Sequence, residues 1–236
     1  MSEKENLHKE EIEKFSNYEK SWWDKSSYTA PLHRINPLRL NFIKSQLDIT
    51  DKTVIDIGCG GGILTEALAR NAAIATGLDA TKSAISAAVQ HAKSENVHVN
   101  YIHSTIEAYK KNKPDVKFDF VTCMELLEHL PEPTKMVKEC ADLVEKDGLV
   151  FFSTINRNPK SFLFAIIGAE YLLQMIPRGT HNYKDLIKPS ELDSWCRDAN
   201  LEFVTSMGIS YNPLLDKFYT TRDVSVNYMC AYRKTT

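Results

Sequence analysis

The feature that most constrains this chain is the stretch "VIDIGCGGGIL", which begins at Val54 and ends at Leu64. An apolar run that ends in closely spaced glycines and then continues with helix-forming residues is typical of a buried strand, a tight loop and a helix. Glycines let a ligand approach the backbone where any Cβ would clash, and the loop leads into a helix N-terminus. The stretch therefore predicts an α/β fold with a ligand-binding loop after its first strand.

Strand and helix signals alternate along the middle of the chain. This order is typical of a mostly parallel sheet with helices on both faces. The last strand signal alternates Val224, Val226 and Tyr228, which predicts an edge strand. The run "EPTKMVKECADLVEKDG" predicts a helix that ends at Gly148. The stretches expected to form the seven strands are KTVIDIG, AIATGLD, VHVNYIH, FDFVTCM, LVFFSTI, LEFVTSMGIS and VSVNYMCAYRK.

Length and composition favour one domain over residues 1–236. The chain is 43% hydrophobic and has a formal net charge of -2, which argues against nucleic acid as a partner. Five cysteines form no CxxC pair, so we expect a reducing compartment without a disulfide framework or a structural zinc. Residues 1–50 are predicted to form a helical cover, and residues 156–189 a long insertion.

The insertion contains the longest apolar run, "SFLFAIIGAEYLLQMIP", which Glu170 and Gln174 interrupt. This run is shorter than the roughly 20 apolar residues of a membrane span. Two interpretations remain open: an interfacial helix that meets a membrane, or a lid helix packed on the domain. The side chains expected to contact a membrane or an apolar substrate are Phe162, Phe164, Ile167 and Tyr171.

The spacing of the glycines narrows the kind of ligand. A dinucleotide fingerprint needs a third glycine at position 63, where this chain has Ile63. The second strand ends in "GLD", so Asp79 stands where an acid can accept both ribose hydroxyls. The pattern D-x-G-x-G-x-G followed by that acid resembles class I S-adenosylmethionine-dependent methyltransferases, which implies a Rossmann-like fold.

Longer stretches carry a more specific resemblance. "PLHRINPLRL", "VTCMELLEHLPEP", "FFSTINRNPKSFLFAIIGAEYLLQMIPRGTHNYKDLIKPSEL" and "VNYM" resemble the ubiquinone-biosynthesis O-methyltransferases from about Trp22 to Tyr228. The resemblance implies methylation of polyprenylated catechol and demethylubiquinol intermediates, at both O-methylation steps. Two departures are Ser26-Ser27 after the tryptophans and Ala72 in place of a common glycine. We expect Asn71 to take the left-handed cap conformation in its stead.

The resemblance and the loop pattern together imply the cofactor contacts. Arg39 would pair with the methionyl carboxylate of S-adenosylmethionine, and Gly58 would offer bare backbone beside it. Arg39 as a surface ion pair and Met124 as core filler are the competing interpretations. The residues expected to contact the cofactor are Arg39, Asp56, Gly58, Gly60, Asp79 and Met124.

The stretch "CMELLEHLPEP" places two carboxylates and an imidazole just after the fourth strand. If Glu125 begins a helical turn, Glu128 and His129 lie on the same face of that turn. Three interpretations are open: a divalent-cation site, a His129 general base, or a capped polar turn. The resemblance implies a cation at all three positions, with Mg²⁺ favoured and Zn²⁺ possible. His33 and His181 are expected to be structural.

We therefore expect a cytoplasmic O-methyltransferase, peripheral on the inner face of the membrane, with a ubiquinone-biosynthesis complex as a candidate partner. Two alternatives compete with this hypothesis. One is a soluble small-molecule methyltransferase with a lid. The other is a non-catalytic scaffold that binds the cofactor and recruits partners to a membrane.

Overall fold

A computed structural model of the chain describes residues 6–8, 22–27, 29–161 and 182–236. The predicted membrane contacts Phe162, Phe164, Ile167 and Tyr171, together with His181, lie outside these ranges. In the described residues the α-helices longer than one turn are α1 Ala30–Lys44, α2 Ile63–Arg70, α3 Lys82–Ser94, α4 Ile106–Asn112, α5 Pro133–Leu143 and α6 Pro189–Asp198. The strands are β1 Thr53–Ile57, β2 Ile74–Asp79, β3 Asn100–His103, β4 Phe118–Met124, β5 Val144–Ile155, β6 Leu201–Asn212, β7 Lys217–Thr221 and β8 Asn227–Lys234.

The strands form one sheet in the order β3-β2-β1-β4-β5-β8-β6-β7. Strands β1 to β5 are parallel, and β8 pairs antiparallel with both β5 and β6. The α/β class is as predicted, and the described sheet has eight strands instead of seven. The additional strand is β7, "KFYTT", which is too short and too exposed to give a clear apolar signal.

The prediction that the last strand lies at an edge was wrong. Strand β8 lies between β5 and β6, and its residues from Tyr228 to Tyr232 are buried. A strand with neighbours on both sides buries both of its faces, so its apolar residues are nearly continuous. The alternation that suggested an edge precedes the strand, at Val224 and Val226, and β7 occupies that edge.

Side chains of the central strands pack into two separate cores, one on each face of the sheet. Along β5, Val150 and Phe152 belong to one core, whereas Leu149 and Phe151 belong to the other. We call the first the α5 face, because α5 packs there, and the second the α1 face, where Phe42 of α1 packs. This strict alternation fixes the side of the sheet on which every later β5 residue lies.

Two helix ends differ from expectation. Helix α5 ends at Leu143 instead of Gly148, because Val144 is already extended and pairs with Phe118 of β4. Helix α2 ends in a Schellman motif, in which Ala73 N–H bonds Leu68 C=O and Ala72 N–H bonds Ala69 C=O. The left-handed residue of that motif is Ala72, with φ 66°, and not Asn71, with φ -101°.

Among the described residues, no helix has the length and apolar character required to cross a bilayer.

Candidate active site

The glycine loop lies at the carboxyl edge of the sheet, between β1 and α2. Gly58 has φ 71° and Gly60 has φ 53°, conformations that L side chains rarely adopt. Asp79, at the end of β2, accepts hydrogen bonds from the Gly60 N–H at 2.9 Å and the Thr81 N–H at 2.7 Å. Burial raises the pKa of Asp79, and these two donors oppose that rise. Asp79 therefore ties the loop to the neighbouring strand.

Asp56 supports the loop from within the sheet. Its carboxylate is buried, and its two oxygens accept hydrogen bonds from the Thr65 and Thr122 hydroxyls, both at 2.7 Å. Burial raises the pKa of Asp56 to about 6, against the effect of these donors. Asp56 is only 3% exposed and both of its oxygens are engaged within the protein, so in this structure it supports the loop, and its cofactor contact stays a prediction.

Arg39 is an unusual residue for the interior of a helix. It is 5% exposed, and its Nε and one Nη have no hydrogen-bond partner among the described residues. Oε1 of Glu125 lies 3.4 Å from Arg39 Nη2. A buried guanidinium with unused N–H groups is costly unless an anion completes its contacts. Arg39 thus fits a role as the receptor of a ligand carboxylate.

Two tryptophans from the N-terminal segment lie on the glycine loop. A Cβ at Gly60 would stand 2.4 Å from the Trp22 ring, so the indole rests directly on bare backbone. Trp23 donates its indole N–H to the Gly61 C=O at 2.9 Å and stacks on His91, with ring centroids 3.3 Å apart. The segment 22–27 therefore covers the loop from outside.

Strand β4 ends at Met124, and Glu125 then turns the chain sharply. Met124 is 7% exposed and packs in the α1-face core, as its interpretation as core filler predicts. Glu125 has φ 53°, a left-handed conformation that costs a non-glycine residue of order 1–3 kcal/mol. Glu125 therefore does not begin a helical turn, contrary to the conformation considered in the sequence analysis. The turn that follows is a short 3-10 helix over Leu127–His129.

Two hydrogen-bond donors hold the Glu125 carboxylate. Its Oε1 accepts a hydrogen bond from the Ser153 hydroxyl at 2.7 Å, and the Asn227 side-chain amide lies 3.2 Å from both of its oxygens. The Glu125 N–H also bonds the Ser153 C=O at 2.9 Å. With Arg39 beside it, this carboxylate has a fixed position and a positively charged neighbour.

Thr154, which follows Ser153 on β5, holds the Glu128 carboxylate. Its Oε2 accepts a hydrogen bond from the Thr154 hydroxyl at 2.9 Å, and the side chain is buried. Ser153 and Thr154 are consecutive on β5, so their side chains point to opposite faces of the sheet. The Glu125 carboxylate therefore lies on the α1 face, and the Glu128 carboxylate on the α5 face.

This division corrects the predicted metal site. The described residues contain no group of three His, Cys, Asp or Glu side chains placed to hold a metal ion. The reason is the left-handed turn at Glu125, which removes this residue from the helical phase of Glu128 and His129. The two carboxylates do not converge on one point in this arrangement, so the donors present do not fit a shared cation. His129 is partly exposed at the end of the 3-10 turn.

Comparison with known proteins identifies the kind of site. Residues 30–206 match the family described as a methyltransferase domain. The ubiquinone biosynthesis O-methyltransferase of Coxiella burnetii (strain RSA 331 / Henzerling II) is 46% identical over 228 residues, 97% of each chain. That of Stutzerimonas stutzeri is 49% identical over 224 residues, 95% of this chain and 96% of the relative. The chain belongs to the ubiquinone biosynthesis O-methyltransferase family.

Solved structures agree with this family in fold. The magnesium protoporphyrin IX methyltransferase from Synechocystis, determined with bound SAH, has a TM-score of 0.67 at 15% identity and covers 94% of both chains. The N-methyltransferase NodS from Bradyrhizobium japonicum, in complex with S-adenosyl-L-homocysteine, has a TM-score of 0.64 at 15% identity. It covers 96% of this chain and 98% of its own. The chain is thus an S-adenosylmethionine-dependent O-methyltransferase with the class I fold.

The described residues of this O-methyltransferase fit its cofactor. Arg39 has unused buried donors for a carboxylate, and Asp79 stands where a ribose would bind. The bare backbone of Gly58 and Gly60 is covered by the Leu126 and Trp22 side chains, which would have to move for a ligand to contact it. Sequence reasoning did not assign roles to Ser153, Thr154 and Asn227. All three lie inside stretches that carry the family resemblance, "FFSTIN" and "VNYM". Their partners, however, became visible only from the strand register.

Proposed function

We propose that this methyltransferase transfers a methyl group to a phenolic oxygen of polyprenylated catechol and hydroxyphenol intermediates of ubiquinone biosynthesis, at both O-methylation steps. Identity of 44–49% to enzymes of that name, over at least 95% of the chain, supports the substrate class. The observation that carries the proposal is the Glu125 carboxylate, fixed in a strained turn beside the buried Arg39.

Each residue of the site has a role in this proposal. S-adenosylmethionine, when bound, supplies a methyl group on a positively charged sulfur. Arg39 binds the cofactor carboxylate, Asp79 binds the ribose, and the glycine loop accepts the remainder against bare backbone. Ser153 and Asn227 hold Glu125 in one orientation, so that its carboxylate can orient the acceptor hydroxyl.

The acceptor oxygen has to lose its proton, because an unperturbed phenol has a pKa near ~10. His129 is the proposed base, since imidazole has an unperturbed pKa of ~6.5 and can accept a proton at neutral pH. Its position at the carboxyl end of β4, on the 3-10 turn after Glu125, supports this role. The proposal routes no step through a cation, because the carboxylates face opposite sides of the sheet.

We also propose that the enzyme is cytoplasmic, peripheral on the inner face of the membrane, and able to join other enzymes of the pathway. A polyprenyl substrate resides in the bilayer, so contact with the membrane surface would bring the active site to it. The sequence of the apolar run in residues 161–177 allows an interfacial helix or a lid, and the proposal takes the first of these interpretations.

The test is mass-spectrometric detection of the methylated product from purified enzyme, S-adenosylmethionine and a prenylated catechol. We expect turnover that depends on the prenyl chain, loss of turnover in His129→Ala, and retention of turnover after chelation of divalent cations. Loss of activity on chelation would show that Glu125 and Glu128 change partners to bind a cation, and it would refute the base-only route.

The same assay separates the alternative functions. Equal turnover of a short, tail-free catechol would favour a soluble small-molecule methyltransferase. Binding of S-adenosylhomocysteine without methylation of any phenol would favour the scaffold. Asp79→Ala should abolish turnover through weakened cofactor binding, whereas a scaffold role would be insensitive to that change.

A further inference from the structure

The β6–β7 hairpin presents two leucines to solvent. Leu214 is 93% exposed and Leu215 is 68% exposed, the two largest exposures among the large hydrophobic side chains of the described residues. Scattered single apolar residues on a surface need no explanation, but two adjacent leucines at a loop tip are costly to leave in water.

Strand directions place the tip on the same edge of the sheet as the active site. Strand β6 is antiparallel to β8, and β8 is antiparallel to β5, so β6 runs in the direction of β5. Asn227, which contacts Glu125, pairs with Ile155 on one side and with Ile209 on the other. Strand β6 continues three residues beyond Ile209, to Asn212, which carries the tip about 10 Å past the level of Glu125.

The tip is held rigidly, so its leucines cannot easily fold back onto the protein. The Asn212 side-chain oxygen accepts hydrogen bonds from the N–H groups of Leu214 and Leu215, at 2.9 and 3.2 Å. The Tyr211 hydroxyl and the Arg34 guanidinium of α1 both bond Asp216, each at 2.6 Å. The hairpin is therefore braced against α1, with its apolar residues outward.

The charges around the tip suit an anionic surface. Asp216 pairs with Arg34, and Asp223, which follows β7, pairs with Lys160. With both acids matched by cations, exposed Lys217 adds positive charge at the tip itself, and exposed Arg222 adds another at the far end of β7, near the level of Gly208. Two leucines also offer far less area than the ~800 Å² that each partner buries in a standard protein interface. Shallow insertion into lipid headgroups needs only such a small apolar tip with basic neighbours.

We infer that Leu214 and Leu215 insert into the surface of an anionic bilayer and hold the carboxyl edge of the sheet, with its active site, against the membrane. This inference rests on the proposed function, because a substrate with a hydrocarbon tail would then enter a site that faces the lipid. It concerns residues different from the apolar run of the insertion.

The test is flotation of the full chain with vesicles of phosphatidylcholine and phosphatidylglycerol. The double variant Leu214→Ser/Leu215→Ser should lower the partition coefficient by about tenfold or more, since burial of one leucine alone is worth about tenfold. The matched control is Ile74→Ser, because Ile74 is 60% exposed at the start of β2, on the opposite edge. Equal flotation of wild type and the double variant would refute the inference.

A local probe removes any ambiguity from other membrane contacts. All five native cysteines are buried, so Leu215→Cys can be labelled selectively with an environment-sensitive fluorophore. We expect a blue shift of its emission with the anionic vesicles and none for a label on Ile74→Cys. An unchanged emission at position 215 would contradict insertion. Dissociation of a wild-type dimer by the leucine substitutions, measured by sedimentation, would assign the tip to a contact between copies and would also overturn the inference.

Turnover of a short, tail-free catechol by every variant completes the design. Equal rates would show that the leucine substitutions leave fold and chemistry intact, so that a flotation defect reports the membrane contact alone. If wild type methylated no phenol, the proposed function would fail, and the flotation and fluorescence results would still decide the role of the hairpin.

Discussion

At the scale of single residues, Ser153 connects the backbone and the chemistry of the site. One hydroxyl reaches the Glu125 carboxylate at 2.7 Å and also lies 3.2 Å from the Glu125 N–H. It is fully buried, so no water replaces it when it is removed. Without it, the left-handed turn at Glu125 loses a support on both the main chain and the side chain.

We predict that Ser153→Ala lowers kcat by about 10- to 100-fold with little change in KM, because a misplaced orienting group weakens the reactive geometry more than substrate binding. Steady-state kinetics with the prenylated catechol measure this. Ser153→Thr, which keeps the hydroxyl, should recover part of the rate. A Ser153→Ala enzyme with wild-type kcat would show that Glu125 needs no such support.

Asp56 gives a second prediction, in the pH dependence of stability. Its pKa in the fold is about 6, above the ordinary 3.8, so the native state holds its proton more tightly than the unfolded chain. The contribution of Asp56 to the free energy of unfolding is therefore lost as pH rises from about 4 to 6. The difference of about two pKa units corresponds to about 3 kcal/mol.

Urea unfolding of wild type and Asp56→Asn over this range measures that effect. We expect the difference in unfolding free energy, wild type minus variant, to fall with pH and to level off above about pH 7. The Thr65 and Thr122 hydroxyls can rotate to bond an amide. A difference that is constant with pH would show that Asp56 is ionised at ordinary values in the fold.

At the scale of elements, the end of helix α2 contains a strained residue. Ala72 adopts φ 66° at the position of the Schellman motif that glycine usually fills, and it is exposed. A left-handed conformation costs an L residue about 1–2 kcal/mol, and glycine removes that cost at the expense of some unfolded-state entropy. The end of helix α2 therefore contains backbone strain at Ala72, which lowers the stability of the fold.

We predict that Ala72→Gly raises the free energy of unfolding by about 0.5–1 kcal/mol. The matched control is Ala69→Gly, the same change three residues earlier inside α2, which should destabilise by about 0.5–1 kcal/mol. Thermal or denaturant unfolding of both variants measures the two effects. A destabilised Ala72→Gly protein would indicate that the Ala72 methyl makes a contact worth more than the backbone strain.

Sequence reasoning succeeded where the determining interactions are local. The glycine loop after the first strand and the acid at the end of "GLD" depend on neighbours within a few residues, and both predictions agree with the observed elements. It failed where a single dihedral angle changes the phase of the chain. The left-handed turn at Glu125 separates the Glu125 and Glu128 carboxylates, which ideal helical spacing would have brought together. The conformational propensities of the residues do not predict that turn.

Longer-range errors have a different origin. The position of β8 inside the sheet depends on its pairing with β6, more than fifteen residues earlier in the chain, and not on its own alternation. The holders of the two carboxylates, Ser153 and Thr154, are separated from them by more than twenty residues. Such pairings follow from strand order and register, which composition and periodicity do not contain.

At the scale of the whole molecule, the N-terminal segment and the glycine loop form one unit. Trp22 rests on Gly60, and Trp23 bridges Gly61 and His91 of α3. Glu66 of α2 bonds His91 at 2.9 Å, so the cover is connected to the helix that the loop begins. A ligand that binds at the loop will therefore change the surroundings of both tryptophan rings.

We predict that S-adenosylhomocysteine changes the intrinsic tryptophan fluorescence of the protein, and that Trp22→Phe removes most of that change. Trp195→Phe is the control, because Trp195 of α6 packs on the α5-face core away from the loop. Fluorescence titration measures both variants. A signal that survives in Trp22→Phe and disappears in Trp195→Phe would place the ligand elsewhere.

The adjacent hydroxyls of β5 also set a condition on insertions and deletions. Removal of one residue from β5 before Ser153 would exchange the faces of every side chain that follows. The serine would then meet Glu128, and the bulkier threonine would be forced against the turn at Glu125. Chimaeras that replace this strand must therefore preserve its parity, counted from Leu149 to Thr154, even where they replace every apolar residue between.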